Sequence, residues 1–184
     1  QLREVAALDA RIAALERQLT PFVVDPATLR PPVDFARNEE RFAPVAARFV
    51  RFTVLATTGA EPCLDELEVW AGDRNVALAG NGTRASASGT LPGYAIHQLA
   101  HVHDGHVGNE HSWIADEAVG GWVQLEFATA ERIDRIVWGR DRLGRFHDRL
   151  PTSYRIEAAV TEGAWQRLAS SDDRQPLRGA NQPP

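Results

Sequence analysis

The residues best equipped for chemistry crowd one loop: His101, His103, Asp104, His106, Asn109, Glu110, His111 and Ser112 fall between positions 101 and 112. Imidazoles hold divalent metals or move protons near neutral pH, and carboxylates and amides supply oxygen ligands or pair with hydroxyls. Burying such groups unpaired costs roughly 1–3 kcal/mol each, so the loop must meet solvent, a metal ion or a ligand. A second charged stretch, GRDRLGRFHDR, carries Arg140, Asp141, Arg142, Arg145, Phe146, His147, Asp148 and Arg149. Its charged groups suit the recognition of hydroxyls and Phe146 offers a ring to stack on, with His97 and Tyr94 joining if the loops converge. The competing reading is a solvated hairpin in which Arg149 pairs with Asp141 or Asp148.

Catalysis finds little support. No nucleophile stands beside a base, there is no glycine-rich phosphate loop, and no metal triad is complete. His101, His103, Asp104 and His106 are similar to the HxHxDH signature of binuclear metallohydrolases, but the aspartate stands one place early. Downstream only His111 and His147 remain, too few for the later loops of such an enzyme. Solvated loop histidines are the simpler account of these four.

The elements that must position these loops are short and alternating. Ala47 to Ala56 sets Phe49, Arg51 and Thr53 against Val50, Phe52 and Val54, the period-two pattern of a strand. Leu64 to Ala71 places Leu67 and Val69 opposite Glu66, Glu68 and Trp70, and Trp122 to Phe127 sets Val123, Leu125 and Phe127 against Trp122, Gln124 and Glu126. Asn75 to Ser88 reads as a weak strand region, and Ile133 to Trp138, Tyr154 to Val160 and Ala164 to Ala169 as further strands. Trp113, Trp122, Trp138 and Trp165 are assigned to the core. About eight short strands with turn chemistry between them, and no helix in the body, predict an all-β, eight-stranded jelly-roll β-sandwich over residues 38–170.

Residues 1–20 differ in kind. Val5, Leu8, Ile12, Leu15 and Leu19 recur at spacings of three and four, predicting one amphipathic helix with a narrow apolar seam. It could form a short coiled coil, half of a helical hairpin or a brace, so self-association through residues 1–20 is an open alternative. Pro21, Pro26, Pro31 and Pro32 make 21–37 an extended linker, and 171–184 form a tail. The 184-residue chain is 43% hydrophobic and 24% charged, with a net charge of -5, ordinary for a soluble globular protein and poor for nucleic-acid binding, although six arginines fall between Arg132 and Arg149. No stretch is long and apolar enough to span a membrane, and no signal-peptide pattern opens the chain. Its start inside a helix and its end in Asn181, Gln182, Pro183 and Pro184 suggest an excised piece of a longer protein. The single Cys63 excludes an internal disulfide and a cysteine-built zinc site.

Segment by segment, the body resembles the discoidin-like domain, also called the coagulation factor five/eight type C domain, and the related galactose-binding-like carbohydrate-binding modules. The segments are NVALAGNGTRASAS at 75–88, Asp104-Gly105 followed by Trp113, GWVQLEF at 121–127 with IDRIV at 133–137, and Tyr154 to Glu157 with Trp165. ARFVRFT and DELEVW resemble the family's last two strands yet stand first here, which looks like a circular permutation. EPCLDELEVW, NEHSW and WGRD with DRLP also resemble a domain of large bacterial proteins that carry cytochrome-c-like domains. The resemblance implies a non-catalytic, lectin-like binding module, extracytoplasmic, for a glycan or polysaccharide, beside other domains of its parent protein. The rival expectation is a structural or protein-interaction domain that positions redox or hydrolytic neighbours. It further implies one calcium ion, held by Asp104, the backbone carbonyls of His101 and His106, Asn109, and Asp65 with Glu66. The ligand site it implies comprises Arg140, Asp141, Arg142, Arg145, Phe146, His147, Arg149 and His97.

Overall fold

Two long strands, β1 (Asn38–Thr57) and β7 (Trp122–Gly139), form the spine of the body and pair antiparallel from Asn38 opposite Trp138 to Thr53 opposite Trp122. The structure is a computed structural model that describes residues 28–177 together with Leu8, Arg11, Ile12, Ala14 and Leu15. The chain divides into two compact units, Gln1–Pro31 and Pro32–Pro184. In the first, the five described residues before Thr28 are helical, and Leu8, Ile12 and Leu15 are 59%, 52% and 50% exposed. The rest of the expected helix over 1–20, the start of the linker and the end of the tail lie outside the described residues.

The β1–β7 register shifts twice, between Arg41 and Val45 and between Ala47 and Phe49. Such bulges bend a ladder and increase its twist, and here they divide the sheet into two halves with different neighbours. Around Asn38–Ala47, β7 is flanked on its other edge by β3 (Glu66–Ala71), which is extended by β4 (Arg74–Asn75). Around Phe49–Thr57, β1 is flanked by β8 (Pro151–Ala159) and then β9 (Gln166–Ser170), while β5 (Arg84–Ala87) adds to β7. β2 (Cys63–Leu64) and β6 (Trp113–Ile114) make a separate two-stranded ribbon.

The halves close on one core. Trp138, from the first half, packs edge-on against Phe52 at 5.1 Å and Tyr154 at 5.0 Å from the second, and Phe52 and Tyr154 stack at 5.2 Å. Val50, Val54, Leu67, Val69, Leu125, Ile136 and Ile156 complete it, all fully buried. The body is thus antiparallel β throughout its named sheets and sandwich-like, as the alternation predicts.

The element boundaries depart from expectation in physical ways. The segments 122–127 and 133–138 are one strand, because Ala128–Arg132 stays extended and its Glu131 and Arg132 pair with Ala47 and Ala46, although it alternates nothing. The region 75–88 breaks into β4, a 3-10 turn at Ala79–Asn81 ended by left-handed Gly82, and β5. Trp113 and Trp138 are buried, but Trp122 and Trp165 are not core: they flank the Arg51 guanidinium at 4.4 and 4.6 Å, a cation–π arrangement on the outer face.

Candidate functional site

The histidine loop is a 3-10 turn, Leu99–His103, that ends at Asp104 and is pinned from below. Val102 and His103 point inward, and the His103 ring meets the Ala77 carbonyl through Nδ1 at 3.0 Å. Gly105 and Gly108 have φ of 83° and 101°, values that side-chain-bearing residues resist. That conformation lets the Gly105 amide donate to Glu66 Oε1 at 3.2 Å and the Gly108 amide to Asp65 Oδ2 at 3.0 Å. Asp65 Oδ2 also accepts from the Arg142 amide at 2.7 Å. Segments far apart in sequence, 65–66, 104–108 and 140–142, therefore meet at one corner.

That corner is acidic and buried. Asp65 and Glu66 are 0% and 1% exposed, and Asp65 Oδ1 and Glu66 Oε2 have no hydrogen-bond partner. Burial pushes the Glu66 carboxyl up to about 8; the charges of Asp104 and Glu68 push the same way, against the Gly105 amide and Arg142. Burial likewise raises Asp65, opposed by the Arg142 and Gly108 amides. Arg142 is the resident cation, paired with Glu68, donating to the Glu66 carbonyl at 3.3 Å and lying 3.7 Å from Asp65 Oδ1. Partnerless buried carboxylate oxygens suit a hard, oxygen-seeking ion such as calcium. Of the expected calcium ligands, Glu66, Asp65 and the Asp104 turn come together here. The Asn109 side chain is engaged elsewhere, its amide oxygen accepting from Arg140 at 2.8 Å.

The arginine-rich loop is anchored at its base by buried Arg140 and Asp141, while its tip, 143–148, is exposed. Arg140 is 2% exposed: Nη1 donates to Asn109 and lies 3.4 Å from Cys63 Sγ, Nη2 donates to Asp148 Oδ1 at 2.6 Å, and Nε donates to the Asp148 carbonyl at 2.9 Å. Asp141 is 0% exposed and its carboxylate accepts from the amides of Leu143, Arg145 and Phe146 at 3.1, 2.7 and 2.9 Å. A short carboxylate with three adjacent amides in reach folds its own loop instead of facing a ligand. His97 is 6% exposed and its Nδ1 lies 2.8 Å from Ser112 Oγ. Arg149 pairs with Glu61 at 2.6 Å, and the His147 ring packs edge-on against Phe35 at 5.1 Å. Of the expected eight, Arg145 and Phe146 line an open space, and His147 is exposed.

That space is a cleft of 420 Å³ between the two loops. Ile96, Val107, Leu143 and Phe146 supply its apolar walls, and Asn109, Glu110, His111 and Arg145 its polar edges. Leu143 and Phe146 are 55% and 42% exposed. The Arg140 guanidinium lies 5.2 Å behind the Phe146 ring, fixing the ring as a platform. Ile96, Val107 and Leu143 were not legible as site residues; the one signal was an apolar Leu143 at the tip of a charged hairpin.

Beside the cleft, His101, Asp104 and His111 bring their ligand-capable atoms within 4.8 Å of one another. Asp104 Oδ1 accepts the His106 amide at 2.8 Å and Oδ2 faces His111 Nδ1 at 3.0 Å. Burial pushes the Asp104 carboxyl up, but that amide and the two imidazoles outweigh it and hold the group below the usual carboxylate range. Of the expected cluster His101, His103, Asp104 and His106, His103 is turned away into the body. No family model, curated protein or solved structure matches the chain.

Proposed function

We propose that the chain is a non-catalytic carbohydrate-binding module of the discoidin-like, galactose-binding-like class, with its strands in a circularly permuted jelly roll. The observation that carries the reading is the cleft, in which a half-exposed aromatic ring stands beside a guanidinium, a carboxylate, an amide and an imidazole. A sugar presents an apolar ring face and a rim of hydroxyls, and a stacking platform edged by such groups matches both. The Ser112–His97 contact does not suggest hydrolysis: it is buried, and the Ser112 hydroxyl donates to the Asn109 carbonyl at 2.8 Å, so the imidazole is not positioned to take its proton. Extracytoplasmic placement within a larger parent protein accompanies this reading.

Calcium belongs to the same proposal. Glu66, with Asp65 and oxygens of the 104–106 turn, would hold it, and the ion would neutralise the buried acidic corner and stiffen the loop that forms one wall of the cleft. The mostly apolar lining favours a second reading, a contact surface for a neighbouring protein domain.

One experiment separates these. A glycan array is probed with the full chain in calcium and in chelator, alongside Phe146→Ala and Arg145→Ala. Specific hits that each substitution weakens roughly tenfold, and that fade in chelator, support the reading. An array blank under both conditions sinks the carbohydrate proposal and leaves the protein-contact reading. Hits indifferent to chelator remove the calcium part alone.

A further inference from the structure

We propose that His101, Asp104 and His111 form a binding site for a borderline transition-metal ion of the zinc class at the rim of the cleft. His101 lies in the 3-10 turn Leu99–His103, and Asp104 follows it with φ of -91° and ψ of -6°. Three residues make one turn of such a helix, so side chains three apart lie on the same side. His111 approaches from the far arm of the loop, its Nδ1 3.0 Å from Asp104 Oδ2. Two ligands at about 2.05 Å from a tetrahedral ion stand about 3.3 Å apart, close to the spacing of this pair, and the ion would take the place of the proton between them, which leaves to solvent. The ligand-capable atoms of His101, Asp104 and His111 all lie within 4.8 Å of one another, a span that small side-chain adjustments close.

The tautomer of His101 is set for the task. Its Nδ1 is 3.0 Å from the Ile96 carbonyl, which only accepts, so Nδ1 carries the proton and Nε2 keeps its lone pair. Histidines that bind metals commonly tie their second nitrogen in this way. The His106 ring lies nearly parallel to that of His111, centroids 4.8 Å apart, and its Nδ1 is 3.4 Å from Asp104 Oδ1. It supplies a fourth ligand, or leaves that position to water or to an oxygen of a molecule in the cleft, which His111 also lines. Little ordering is needed on binding, because Glu66 and Asp65 already anchor the loop through the Gly105 and Gly108 amides. Two imidazole nitrogens and one carboxylate favour a zinc-class ion over calcium, which wants six to eight oxygens. The site shares Asp104 with the calcium proposal but does not depend on Glu66 or on the cleft binding a sugar.

The test is calorimetric titration of the full chain, free of any affinity tag, with zinc chloride in a non-coordinating buffer near neutral pH. The visible spectrum with cobalt(II) serves as an independent probe. Expected are one ion per chain at micromolar affinity or tighter, persistence in excess calcium, and intense low-coordinate cobalt bands. His101→Ala and His111→Ala should each weaken binding roughly tenfold or more and bleach the cobalt bands. His147→Ala, at a histidine outside the cluster, should change neither, and circular dichroism checks that each variant is folded. Zinc affinity unchanged in both folded cluster variants, or zinc displaced by calcium, would overturn the proposal.

Discussion

A buried imidazole behind the cleft links the site to stability. The His97 pKa is pressed below the ordinary imidazole value, first by burial and then by the positive charges of Arg140, Arg149 and His101. The unfolded chain gains a proton below about pH 6.5 that the folded chain refuses, so His97 costs stability as pH falls through that range. The buried carboxyls Asp65 and Glu66, both raised, act with the opposite sign: their contribution is present at low pH and is lost as pH rises through their folded pKa values. The His97 effect is therefore read as a difference from the parent chain. His97→Gln, which keeps a polar group near Ser112, should lose less of its urea midpoint than the parent between about pH 7.5 and pH 5.5. Equal losses in the two proteins would show that His97 takes its proton without cost. The sequence supplies the histidine and its loop but not its surroundings, since Ser112 and the charges of Arg140 and Arg149 come to it from segments distant along the chain.

At the scale of elements, the loop 140–149 is built around one arginine. Arg140 joins Asn109 on the histidine loop, Asp148 on its own loop and Phe146 in the cleft, so a single guanidinium holds both walls in register. Arg140→Met fills a similar volume but leaves the Asn109 amide oxygen and the Asp148 carbonyl without a donor. Asp148 is 58% exposed, so the charge left behind stays hydrated and the full cost of a broken buried pair does not apply. The expected loss is about 1–3 kcal/mol in chemical denaturation, with ligand binding at the cleft weakened as well. A stability within a few tenths of a kcal/mol of the parent would mean that the loop holds itself through Asp141 alone. This loop also marks where sequence reading stops. Alternation located Val50, Phe52, Val54, Leu67, Val69, Val123 and Leu125 as core because a pleated strand exposes every second residue to one face. That Asp65 and Glu66 meet the Asp104 turn is an expectation of the family resemblance and not of alternation. Arg140 and Asp141 read in sequence as ligand-binding residues or as part of a solvated hairpin, because charge pattern alone carries no record of three-dimensional partners, and only the fold brings Asn109 and Cys63 up to Arg140.

For the whole molecule, the two compact units pose a question of assembly. Leu8, Ile12 and Leu15 are each half exposed or more, and their spacing of four and three puts them on one helical face. Isolated helices of about 12–15 residues are marginal in water and draw their stability from burying an apolar face. A second copy of the same helix, adding Val5 and Leu19 to the seam by sequence, would supply that burial through a short coiled coil. The body from Pro32 onward has its own core, centred on Phe52, Trp138 and Tyr154. Deleting residues 1–31 should therefore convert a concentration-dependent oligomer into a monomer in light scattering while leaving the thermal midpoint of the body unchanged. A full-length chain that is monomeric at every concentration would rule out the coiled coil. A midpoint that falls sharply on deletion would instead make the helix a brace on the body, since only a segment packed in the folded state can withdraw stability when it is removed.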